Sequence, residues 1–77
     1  MPHLSPIAPK RLMKLLEREG FVCIRIKGSH HFFIHEVDKR TTNVPVHGGR
    51  DIGVGLLRQI LKDLNWSADE FHKRLHR

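Results

Sequence analysis

Leu12, Leu15 and Leu16 recur at the spacing of one helical face, and the chain around them reads as a helix over residues 9–19. Pro9 suits its first turn, where a missing N–H costs nothing, and Gly20 is a good stop. Lys10, Lys14 and Arg18 fall at i, i+4 and i+8, drawing a basic stripe along another face. The period then changes to alternation. Val22, Ile24 and Ile26 share one side of a predicted strand, Phe21–Lys27. Gly28-Ser29 supplies a turn, and His30–Glu36 is a second strand, in which neighbouring residues leave opposite faces. His30 is therefore separated from His31, and Phe32 from Phe33, with one of the two phenylalanines expected in the core. After a connection at Asp38-Lys39-Arg40, Thr41–Val46 is a third β-prone run. Pro45 has no amide hydrogen, which assigns that run to a sheet edge.

Gly48-Gly49 breaks the chain again, and Leu57, Ile60, Leu61 and Leu64 mark a second helix over roughly Val54–Leu64. Ser67 with Glu70 three residues later forms a capping box, and Trp66 can staple onto Phe71, so a short last helix begins at Ala68. The order is α-β-β-β-α plus a terminal helix. Three strands joined by short turns make an antiparallel meander, with both long helices on one face and the other face open. The fold class is α+β, in the order of double-stranded-RNA-binding domains. No repeat, linker or low-complexity tract divides residues 1–77, which read as one domain.

Charge narrows the class of partner. Fourteen Lys and Arg against eight acids give +6, which favours a polyanion. Seven histidines add groups that exchange protons near neutral pH. No apolar run reaches the roughly 20 residues of a membrane span, and residues 1–11 hold no signal-peptide core. Cys23 stands alone, which excludes an internal disulfide and makes a reducing cytoplasm the expected compartment. His72 and His76 are four apart, but Lys73 and Arg74 between them oppose a cation, so no metal is assigned. The glycines of residues 48–55 lack the Gly-Lys-Ser/Thr ending of a phosphate loop and read as a turn.

Four pieces stand in order: Leu16-x-x-x-Gly20-Phe21; Lys27-Gly28-Ser29-His30-His31-Phe32-Phe33; Val44-Pro45-Val46-His47; and Gly55-Leu56-Leu57-Arg58-Gln59-Ile60-Leu61. With Ser67-x-x-x-Phe71 at the end, this arrangement resembles the HicA toxin family over about residues 10–72. The resemblance implies a ribonuclease toxin acting on messenger RNA, masked by a HicB antitoxin, with the histidine of the Gly-Ser-His motif as catalytic residue. By position that residue is His30. Two departures fall in the second helix: Leu56 stands where the family often has Thr, and Asn65 replaces a common glycine.

The implied chemistry suits these residue types. RNA carries its own nucleophile, the 2′-hydroxyl, and a histidine titrating near neutrality can remove its proton or protonate the departing oxygen. Charge that builds on the phosphate needs donors and cations beside it. Lys27 brings charge, Gly28 lets a phosphate approach the backbone, and Ser29 offers a hydroxyl and an amide. His47 follows the edge strand and joins these three as an expected RNA contact. No metal, cofactor or small-molecule ligand is expected. The competing reading is a noncatalytic double-stranded-RNA binder. Such modules begin their last long helix with lysines, whereas Gly53-Val54-Gly55-Leu56-Leu57-Arg58 is nearly uncharged.

Overall fold

A computed structural model describes residues 3–77. Its elements are α1 (Pro9–Arg18), β1 (Phe21–Lys27), β2 (His30–His35), β3 (Thr41–Pro45), α2 (Val54–Leu64) and α3 (Ala68–Leu75). The strands form one antiparallel sheet in the order β1-β2-β3, so the α+β reading holds. Pro45 does lie on an edge strand. Helix α1 packs on β1 and β3, and α2 on β3. The predicted leucine and isoleucine faces of both helices are buried, and they meet Phe21, Phe33 and Val44 from the sheet. Phe33 is thus the core member of its pair. Trp66 and Phe71 join the same core.

Several boundaries move by a residue. Helix α1 ends at Arg18 with Glu19 as its cap, β2 stops at His35, and β3 at Pro45. Val46 instead donates its N–H to the carbonyl of Ser29 at 2.7 Å, which ties the end of β3 to the β1–β2 turn. Ile7 and Ile52 exchange backbone hydrogen bonds of 3.0 and 2.7 Å in an isolated bridge. This pins the lead into α1 against the lead into α2. Of the capping box, half forms: Ser67 Oγ accepts from the Glu70 N–H at 3.0 Å, while the Glu70 carboxylate turns to Arg74.

Asn65 ends α2 with φ 60° and ψ 39°, the left-handed conformation that glycine adopts most easily and asparagine next. The departure from the family glycine therefore keeps the backbone geometry. Leu56 is 42% exposed, so the other departure alters the surface of α2 and leaves its core face alone. In the β2–β3 connection, the Arg40 guanidinium holds the Asp38 carboxyl below the usual carboxylate range, chiefly through its hydrogen bonds. Arg40 also donates to the Leu64 carbonyl and lies 5.3 Å from the Phe21 ring, joining this turn to the end of α2.

Gly20 is the tightest point of the fold. Its φ is +94°, and a Cβ built there would stand 2.9 Å from His35 Nε2. The His35 ring is itself held edge-on to Phe21 at 4.9 Å. Gly20→Ala should therefore cost about 1–3 kcal/mol of stability, combining backbone strain with displacement of a packed ring. Urea unfolding measures this; a variant as stable as the wild type would show that the ring moves freely aside.

Candidate active site

The β1–β2 hairpin turns through two residues, with Lys27 and His30 directly opposite each other. Gly28 has φ +59°, and Ser29 does not share the positive angle. Glycine at the first of two central positions is what a type II′ hairpin turn requires, and it matches strand twist. Nothing lies within 4 Å of where a Gly28 Cβ would be, so this stretch of backbone is open to an approaching group. His30 is exposed, and Ser29 is half-buried with its carbonyl held by Val46.

The register decides which side chains share a face. Phe21 pairs with His35, Val22 with Ile34, and Cys23 with Phe33; then one residue is skipped, and Arg25 pairs with Phe32, Ile26 with His31 and Lys27 with His30. Ile24 is the extra residue of a β-bulge. Strict alternation would group Val22, Ile24 and Ile26 on one side and send Arg25 and Lys27 to the helix side. The bulge reverses this beyond position 24. Arg25 and Lys27 emerge on the open face with Phe32 and His30, and Ile26 turns to the helix side with His31. The predicted apolar side of β1 is therefore split, and Val22, Ile24 and Ile26 are all exposed. Bulges often re-aim side chains beside functional sites, and this one delivers two cations to the face that carries His30.

On that face the Arg25 guanidinium lies over the Phe32 ring at 4.7 Å, and the Phe32 and His30 rings are 6.3 Å apart. His30 Nδ1 lies 2.9 Å from Asn43 Oδ1. Asn43 had no signal in the linear sequence, because only the β2–β3 register shows that it neighbours Phe32 and stands diagonally from His30. His47 lies just past β3, exposed, with its carbonyl accepting from the Arg50 N–H at 3.0 Å. The Val46–Ser29 bond brings it to the same end of the sheet, although His47 makes no hydrogen bond to His30.

His31 leaves the opposite face, as expected, into a groove of about 310 Å³ that Lys10 and Lys14 also line. The basic stripe of α1 is thus divided: these two lysines border the hairpin, while Arg18 donates to the Arg74 carbonyl. A separate cavity of about 600 Å³ is lined by the end of α2 and by α3, and includes no residue of the hairpin. His72 and His76 stack in parallel 6.1 Å apart, and a ring nitrogen of His72 lies 2.9 Å from the His3 carbonyl. Among the described residues, no three His, Cys, Asp or Glu gather in a way that would hold a metal ion, and no helix is long and apolar enough to cross a membrane.

A family model described as the HicA toxin of bacterial toxin–antitoxin systems matches residues 9–66. The chain belongs to the HicA toxin family. That match covers α1, the whole sheet and α2, including every residue around His30, and stops before α3. The Ser67-x-x-x-Phe71 piece thus falls outside it. No curated protein matches the chain significantly. As a member of this family, the protein is a toxin of a toxin–antitoxin pair, and an antitoxin is its expected partner.

Proposed function

We propose that this toxin is a metal-independent endoribonuclease that cuts messenger RNA in the cytoplasm, with His30 as its catalytic residue. The observation that carries this reading is the placing of His30: exposed on an open sheet face, at a hairpin end, flanked by Lys27 and by the Arg25–Phe32 pair. An open face suits a polymer, whereas small molecules usually occupy enclosed clefts. Lys27, the open backbone of Gly28, the Ser29 hydroxyl and His47 are assigned to RNA. A half-buried aromatic ring on an open face, such as Phe32, suits stacking by an unpaired base.

In the reaction, His30 takes the proton of the 2′-hydroxyl. The 2′-oxygen bonds to phosphorus, the bond from phosphorus to the 5′-oxygen breaks, and that oxygen is protonated by the charged ring or by water. The products are a 2′,3′-cyclic phosphate and a free 5′-hydroxyl. Because the nucleophile belongs to RNA, no metal-activated water is needed. The positive charges beside His30 offset the charge that grows on the phosphate. The partner is assigned as a HicB-like antitoxin with an acidic face, complementary to a +6 toxin.

Purified protein incubated with end-labelled RNA tests this directly. Cleavage should persist in chelator, and a single 2′-deoxy sugar at the cut site should block it there. A noncatalytic RNA binder would leave the RNA at full length. RNA affinity should also fall steeply from low to physiological salt, because a cationic toxin binds by releasing counterions. An affinity that stays flat across that range would point to a different partner.

A further inference from the structure

We infer that Asn43 is a positioning residue for His30, its side-chain oxygen taking the Nδ1 hydrogen and so leaving Nε2 free to exchange protons with RNA. The catalytic half of this inference rests on the ribonuclease reading; the contact itself does not. An amide oxygen has no hydrogen to give, so across the 2.9 Å separation the ring nitrogen must donate. Which ring nitrogen of a histidine carries hydrogen is set by the partner of the other, and here the partner assigns hydrogen to Nδ1. The neutral ring then presents a lone pair at Nε2, as a base needs. When Nε2 gains a proton, Nδ1 still donates to Asn43. One hydrogen bond thus serves both protonation states, and the ring need not turn over between accepting a proton and releasing it.

The other strand residues beside His30 on that face cannot do this. Lys27 and Arg25 only donate, and Phe32 and Pro45 offer no side-chain acceptor. The helices lie on the far side of the sheet, so the charges facing the ring are these two cations of β1, with Asn43 the polar group from β3. Asn43 is also well anchored. Its neighbours Thr42 and Val44 are buried on the opposite face, and Thr42 Oγ1 donates to Asp63 Oδ2 at 2.9 Å, fastening β3 to α2. A polar group on a fastened strand is an accurate support for a catalytic ring. The amide is neutral, so it orients His30 without trapping the proton that the ring must later surrender. A carboxylate in its place would hold that proton.

The test combines imidazole nitrogen NMR of the free toxin with cleavage kinetics. In the wild type above its titration, His30 should show hydrogen on Nδ1 and a pyridine-like Nε2. Asn43→Leu should shift the ring toward hydrogen on Nε2 and lower kcat roughly tenfold to a hundredfold with little change in KM. That loss stays short of the ~10⁴ that a wrong tautomer costs a buried hydrolase triad, because water reaches this exposed ring. Asn43→Asp should hold a proton on His30 more firmly, so the acid limb of the cleavage profile should move to higher pH. A wild-type His30 with hydrogen on Nε2 overturns the inference, as does an Asn43→Leu variant with unaltered kcat and pH profile. A wild type that cuts no RNA overturns the catalytic half alone, since the NMR tautomer still decides the contact.

Discussion

Replacing His30 with alanine should lower RNA cleavage roughly 100- to 10,000-fold, the contribution typical of a positioned acid or base, and should abolish growth arrest in cells. The fold should survive. His30 is exposed at the start of β2, and its side chain makes one hydrogen bond, to Asn43, and neighbours the Phe32 ring. Surface substitutions of this kind usually change stability by only about 0.5 kcal/mol. Circular dichroism and thermal unfolding should therefore match the wild type while cleavage disappears. His31→Ala is the internal control. Its side chain lies across the sheet among Lys10 and Lys14, so its loss should weaken RNA binding more than turnover. A folded His30→Ala variant that still cuts at near-normal rate would remove His30 from the chemistry and make His47 the next residue to replace.

What the chain pattern revealed and what it concealed both have physical reasons. Helical faces are repeated signals: Leu12, Leu15 and Leu16 on α1, and Leu57, Ile60, Leu61 and Leu64 on α2, each vote for the same orientation. The Gly28-Ser29 turn and the separation of His30 from His31 follow from local geometry, and both stand. Parity along a strand is more fragile, because one inserted residue reverses everything after it. The bulge at Ile24 carries no glycine or proline to announce it, so Arg25 joined Lys27 on the open face unannounced. Asn43 was concealed for a related reason. Its nearness to His30 depends on how β2 and β3 slide against each other, which is settled by packing across the sheet. The Ile7–Ile52 bridge joins two stretches that have no strand period at all.

The largest loss of stability from a single side chain at the periphery should come from Arg74→Ala. The Glu19 carboxylate is only 6% exposed, and Arg74 Nη1 donates to its Oε1 while Arg77 Nη1 reaches its Oε2 at 3.4 Å. The same arginine sits 4.9 Å from the Trp66 ring, pairs with Glu70 at 3.5 Å, and lends its carbonyl to Arg18. One side chain therefore fastens α3, which lies beyond the stretch matched by the family, onto the end of α1. Alanine would leave Glu19 buried with only the largely exposed Arg77 beside it. Breaking a buried pair from one side costs about 3–5 kcal/mol, a large share of the roughly 5–15 that hold a domain together. At about 4–8 °C per kcal/mol in a chain this small, the melting temperature should fall by roughly 12–40 °C. Arg74→Lys should recover only part of this, since an ammonium keeps the charge but loses the planar fork and the stack on Trp66. Replacing both partners by leucine should recover more, because no charge is then stranded in the interior. Thermal unfolding of the three variants decides the matter. If Arg74→Ala melts within a degree or two of the wild type, Glu19 is reached by water, and α3 is held by Trp66 and Phe71 alone.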